Sequence, residues 1–166
     1  MKRRIATATK IIDAPAEVIY AILSDYRAKH PLILPKPYFL SLDVEEGGTG
    51  EGTIVNFKMR LLGRTQSFRS LITEPVPGRA LLETDLNSGI ITRFDLSPLE
   101  NGQRTQVTIS TELQNRGVVE SFIAKLLLQK IYRQELKRLA FIADQQTGVV
   151  LSATPEALAS GSRKIS

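Results

Sequence analysis

The sequence of 166 residues contains no cysteine, no tryptophan and a single histidine, His30. Without cysteine there is no disulfide framework, no thiolate metal site and no thiol nucleophile, and a reducing, cytoplasmic setting is the default expectation. One histidine cannot build a histidine-cluster metal site. A Ser/His/Asp arrangement would have to stand on His30, which precedes Pro31 in an irregular link where a structural role is the plainer reading. No apolar run approaches the roughly 18 residues that span a bilayer, so membrane contact is at most transient. The segment MKRRIATATKII opens with basic charges, but Thr7, Thr9 and Lys10 interrupt what an export signal would need as its apolar core, and no export signal is expected. The glycine-rich EEGGTGEG lacks the lysine and following helix of a phosphate loop and reads as a hairpin turn.

Charge of both signs is present: 22 Lys and Arg against 17 Asp and Glu, a net charge of +5. The excess permits an acidic partner, but its dispersal disfavours nucleic acid. With 42% hydrophobic and 23% charged residues the proportions are those of a globular protein, and the length suits one domain with its own core.

Residues 5 to 13 place Ile5, Thr7, Thr9 and Ile11 on one face at period two, the mark of a first strand. Asp13-Ala14-Pro15 ends it, with Asp13 the candidate helix cap and Pro15 suited to a first turn. Val18, Ile19, Ile22 and Leu23 then recur at helical spacing. A link punctuated by Pro31, Pro35 and Pro37 leads to six alternating segments between Tyr38 and Leu113, broken at glycine-bearing turns. After Gly117 about 30 residues run without proline or glycine, with an apolar stripe at Val118, Phe122, Tyr132, Leu136, Ala140 and Ala143. Residues 1–147 are expected to form the domain and 148–166, small and polar, a flexible tail. Strand, helix, six strands and long helix imply an α+β protein: a seven-stranded antiparallel sheet whose apolar face the last helix covers.

This order, with IDAPAEVIYAILSDYRAKHP at 12–31, GEGTIVNF at 50–57 and LLLQKIYRQELKRLAFIAD at 126–144, resembles the helix-grip fold of the SRPBCC or START-like superfamily and its polyketide cyclase/dehydrase-like family. The resemblance spans roughly residues 3 to 146. It implies a sheet curved around the long C-terminal helix, short helices after the first strand, and a cavity between sheet and helix that takes hydrophobic ligands.

The alternation along the strands is consistent with such a cavity. Phe57, Met59, Phe68, Ser70, Leu82, Thr84, Thr92, Phe94, Ile109 and Thr111 are the expected inward residues. Lys58, Arg60, Arg69, Glu83, Asp85, Arg93 and Asp95 are expected on the solvent face. Hydroxyls among apolar walls suit an amphiphilic ligand, though threonine is also simply a good strand former. On the helix, Phe122, Leu126 and Gln129 complete the candidate lining. Lys125 and Gln129 fall within the apolar stripe, which fits either a partly wet interior or a helix turned toward Leu126 and Leu127.

No catalytic residue, metal or cofactor is assigned. The carboxylates Glu45-Glu46 and Glu83, Asp85 are read as lying in water, where their pKa values stay ordinary. The expected function is binding or transport of a hydrophobic or amphiphilic small molecule such as a lipid, quinone or polyketide-like compound. A cyclase/aromatase-type enzyme, implied by the resemblance, is one alternative, drawing on Thr84, Thr92, Thr111, Tyr132 or Gln129. A toxin or chaperone acting on a ribosomal or quinone-linked partner through Lys125, Lys130, Arg133, Lys137 and Arg138 is another. The oligomeric state is left open.

Overall fold

The computed structural model describes residues 4–113 and 118–152. Period-two alternation gives β1 (Arg4–Ile12), and Pro15, unable to donate a backbone hydrogen bond, starts α1 (Ala16–Leu23). The Pro15 carbonyl accepts from the amides of Val18 and Ile19, 3.1 and 3.3 Å away. Asp13 does not cap this helix, contrary to expectation: its carboxylate is 2.6 Å from Nε of Arg104. A single-turn α2 (His30–Ile33) follows in the proline-rich link.

The six alternating segments become β2 (Phe39–Glu46), β3 (Ile54–Leu61), β4 (Arg64–Val76), β5 (Ala80–Asp85), β6 (Ile91–Leu99) and β7 (Arg104–Leu113). With β1 they form one antiparallel sheet in the order β1-β7-β6-β5-β4-β3-β2, and α3 (Val118–Ser152) lies across it. This is the helix-grip fold. The long helix continues to Ser152, through Gly148 and past the boundary expected at 147. The rest of the expected tail, 153–166, lies outside the described residues.

The glycine-rich connection between β2 and β3 does more than turn the chain. The Gly48 carbonyl accepts from Tyr26 N at 2.9 Å, and Gly50 N donates to the Ser24 carbonyl at 3.0 Å. The Arg27 guanidinium is held on the Gly47 carbonyl. A Cβ at Gly48, where φ is +128°, would stand 2.2 Å from Arg27 Nε. The loop therefore fixes the segment carrying Tyr26 and His30.

α3 packs on β1, α1 and α2 and only lightly on β7. Ala6 and Ala8 are the inward, buried residues of β1, and their small size lets the helix approach that edge closely. Ile5, Thr7, Thr9 and Ile11 form the exposed face. Toward the central strands the helix stands off, and the interior opens into a cavity.

Candidate functional site

The cavity between β2–β7, α2 and α3 has a volume of about 740 Å³. Exposed Leu62, Arg64, Asn87 and Ser88 mark its open end, at the tips of the β3–β4 and β5–β6 turns. Its walls are apolar, formed by Phe39, Phe57, Met59 and Phe68 from the sheet and by Leu127 and Leu128 from the helix. The opposite, inner end is closed by α2 and carries the polar groups.

Glu83 on β5 and Glu135 on α3 both line this inner region, 12% and 3% exposed. The Tyr26 hydroxyl donates to Glu83 Oε1 at 2.7 Å. The His30 ring, 1% exposed, stacks on Tyr26 with centroids 4.3 Å apart and meets Phe94 edge-on at 5.9 Å. His30 Nδ1 is 2.7 Å from the Leu23 carbonyl oxygen, which can only accept, so Nδ1 carries the proton. In the neutral ring Nε2 is then a bare acceptor, 3.5 Å from Glu83 Oε1. Further along, Thr92 and Thr111 hydroxyls are 2.8 Å apart, and the Thr111 and Tyr132 hydroxyls 2.5 Å.

Burial dominates the protonation of this group. It pushes the Glu83 carboxyl up to about 7 against the opposing Tyr26 hydrogen bond. Burial and then the charge of Glu83 raise Glu135 well above the ordinary carboxylate range. Burial holds His30 down to about 4, opposed by the Leu23 carbonyl. The Tyr132 hydroxyl is raised as well, first by burial. Near neutral pH the inner end is a set of neutral or half-titrated acids beside a neutral imidazole.

Of the expected lining residues, Phe57, Met59, Phe68, Ser70, Thr92, Phe94 and Thr111 border the cavity. Ile109 also points inward but is packed fully into the core beneath it. Leu82 and Thr84 require correction: they lie on the opposite face of β5. Leu81 pairs with Phe94 and Glu83 with Thr92, and directly paired residues share a face, so Leu81, Glu83 and Asp85 point inward. Phe122 and Leu126 are also corrected. They are 55% and 51% exposed because the inward stripe of α3 runs through Ala124, Leu127, Leu128, Ile131, Tyr132, Glu135, Leu136 and Leu139. Gln129 sits at the rim, its amide nitrogen 3.4 Å from the Thr7 carbonyl of β1. The side chain of Val118 lies outside the described residues.

Sequence reasoning missed Glu83, Glu135 and the burial of His30. Glu135 left one legible signal, as the only charge on a helix face otherwise composed of Leu127, Leu128, Ile131, Leu136 and Leu139. Asp85 is buried too, but its oxygens accept from Arg69 N, Ser88 N and the Ser88 hydroxyl, which fix the β5–β6 turn. No group of three or more potential metal ligands occurs among the described residues, and no helix there is long and apolar enough to cross a membrane.

The profile of the family described as polyketide cyclase / dehydrase and lipid transport matches residues 3–142. Among solved structures the chain is similar to the solution structure of KanY protein, with TM-score 0.76 and 27% identity over 87% of this chain and 99% of that one. It is similar to the Zhui aromatase/cyclase from Streptomyces sp. R1128, with TM-score 0.71 and 14% identity over 88% and 96% of the two chains. A point mutant of Thalictrum flavum norcoclaurine synthase, bound to a transition state analogue, gives TM-score 0.67 and 14% identity over 88% and 97%. At 14% identity these last two likenesses concern the fold alone. No curated protein sequence matches the chain.

Proposed function

Because this chain belongs to the polyketide cyclase / dehydrase and lipid transport family, whose fold binds hydrophobic small molecules, we propose that it binds an amphiphilic small molecule between sheet and helix. The observation that carries this reading is the pairing of an apolar-walled cavity of about 740 Å³ with two carboxyl groups confined to its inner end. That volume lies within the roughly 300–1,000 Å³ usual for small-molecule sites. The apolar body would lie along Phe57, Phe68, Leu127 and Leu128, and its polar group would meet Glu83, Glu135 and Tyr132. Burial at about 25 cal/mol per Å² supplies the affinity, and the inner polar groups orient the ligand.

A second reading, an acid–base enzyme of the cyclase or dehydrase kind, is favoured by one specific observation. Burial pushes Glu83 up to about 7, the range in which a group both takes and returns a proton, and the unprotonated Nε2 of His30 stands 3.5 Å from it. The absence of cysteine suits a cytoplasmic place of action.

Native mass spectrometry of the purified protein tests the binding reading. It should retain a bound apolar molecule or take up added amphiphiles at one per chain, and Leu128→Arg, which fills the wall with a charge, should abolish uptake. A protein that neither retains nor binds any such molecule overturns it. For the enzymatic reading, Glu83→Gln should end turnover of a polyketide-like substrate that still binds.

A further inference from the structure

Resting on the cavity-binding reading, we infer that the ligand's polar group is a protonated amine, held by Glu83 and Glu135 at the inner end of the cavity. Outside the cavity, Glu45, Glu17, Asp95, Asp13 and Glu100 pair with arginine. At its inner end no described lysine or arginine pairs with either carboxyl. Glu135, 97% buried by its 3% exposure, borders the cavity and makes no hydrogen bond to any described residue. A buried polar group without a protein partner is costly and needs a complement from elsewhere.

The inventory of donors and acceptors says what that complement is. The Tyr26 hydroxyl proton is committed to Glu83, and the Thr92, Thr111 and Tyr132 hydroxyls spend their protons mainly on one another. The remaining oxygen of Glu83, both oxygens of Glu135 and Nε2 of His30 are acceptors when the acids are ionised. With both acids ionised the acceptors outnumber the donors, so a ligand bound to the ionised pair must bring hydrogen. A neutral hydroxyl brings one proton and no charge. An ammonium brings up to three protons and the positive charge that allows the acids to ionise in an apolar setting. The rings of Phe94 and Tyr132 border the same space and add faces that attract a cation.

The titratable and charged groups facing this position are Glu83 from β5, Glu135 and Tyr132 from α3, His30 from α2 and Tyr26 from the link before it, while Asp85 is held on Ser88 at the β5–β6 turn. Arg64 is at the distant open end. Amine binding must displace the protons that burial keeps on Glu83 and Glu135, so it should tighten with rising pH until the amine itself loses its proton near pH 10.

Tryptamine and tryptophol share an indole body and differ in ending as ammonium or hydroxyl. The protein has no tryptophan, so their binding can be followed by indole fluorescence. At pH 8 tryptamine should bind at least tenfold more tightly than tryptophol, and its affinity should rise at least tenfold from pH 5 to pH 8 while that of tryptophol stays level. In Glu135→Gln the ratio of the two affinities should fall to about one. The pH series on the unaltered protein keeps the test sound should the variant fold poorly. Tryptophol binding as tightly as tryptamine at pH 8, or a tryptamine preference that survives Glu135→Gln, overturns the amine inference and leaves the cavity reading standing. Binding of neither probe to a protein that takes up other amphiphiles in native mass spectrometry overturns the amine inference alone, and failure of both experiments overturns both readings.

Discussion

Carboxylates occupy two settings in this protein, with opposite chemistry. On the outer face of the sheet Arg69 forks onto Glu45, Nη2 and Nε standing 2.6 and 2.8 Å from its two oxygens, and Arg93 lies 2.7 Å from Asp95. Arg104 joins Asp13 and Glu100. Inside, Glu83 faces a tyrosine hydroxyl and an unprotonated imidazole nitrogen, and Glu135 has no hydrogen-bonding partner among the described residues. The Arg69 guanidinium holds Glu45 down to about 2, whereas burial pushes Glu83 up to about 7. The fold completes its outer acids with cations of its own. It leaves its inner acids to be completed by protons or by what enters the cavity.

The largest expected effect comes from stability against pH. Folded Glu83 binds its proton more tightly than the unfolded chain does, so the stability it contributes is full below pH 4.5 and lost as pH rises toward 7. That loss is on the order of 3 kcal/mol, and Glu135 adds to it. Folded His30 binds its proton less tightly than the unfolded chain, so its contribution is full above pH 6.5 and lost as pH falls toward 4. The two trends oppose each other between pH 4.5 and 6.5, and above that interval the carboxyls act alone. Urea unfolding should therefore show the protein less stable at pH 8 than near pH 6, and Glu83→Gln should recover stability at pH 8 and little at pH 5. A protein that gains stability up to pH 8, and loses it there on Glu83→Gln, would have a cation beside Glu83 and no contrast between inside and outside.

The same contrast explains what could be read from the chain. Element order, the turns and the inward parity of β3, β6 and β7 were legible because Phe57, Met59, Phe94 and Leu96 alternate with charged residues, and the pattern is the outcome of burial. β5 defeats that rule. Its two neighbouring leucines, Leu81 and Leu82, satisfy either parity, and the pattern then assigns Glu83 and Asp85 to water. Only pairing with β6 and β4, Glu83 opposite Thr92 and Ile72, decides the face, and register across a turn is not written in local polarity. On α3 a polar interruption of the buried stripe was the right kind of signal carried by the wrong residue. Extending from Phe122 leads to Gln129, while the stripe that packs contains Glu135. His30 was assigned an architectural role, and its place against Glu83 depends on the glycine loop that anchors Tyr26, a contact between distant parts of the sequence.

A middle-sized effect should come from the neutral part of the inner end. Tyr132→Phe removes the hydroxyl 2.5 Å from Thr111, whose own hydroxyl keeps Thr92 as a partner at 2.8 Å. The expected cost is about 1 kcal/mol by urea unfolding, nearly constant with pH, because no charge is lost. A cost that grows steeply between pH 5 and pH 8 would mean that Tyr132 donates to an ionised Glu135, which would then be partnered like the acids outside.

The smallest effect belongs to the outer face. Glu45 and Arg69 are solvent-exposed, and their attraction competes with water and with dissolved ions. Glu45→Gln removes one charge and keeps the shape, so the unfolding midpoint should move less than in either inner variant, and about 0.5 M salt should remove the shift. The inner variants should keep their effects in the same salt, because ions do not follow a carboxyl into a buried cavity. If salt leaves the Glu45→Gln shift intact, the pair on the surface is shielded from solvent and belongs with the interior. If salt abolishes the Glu83→Gln difference at pH 8, the inner end is open to bulk water and burial does not set its protonation.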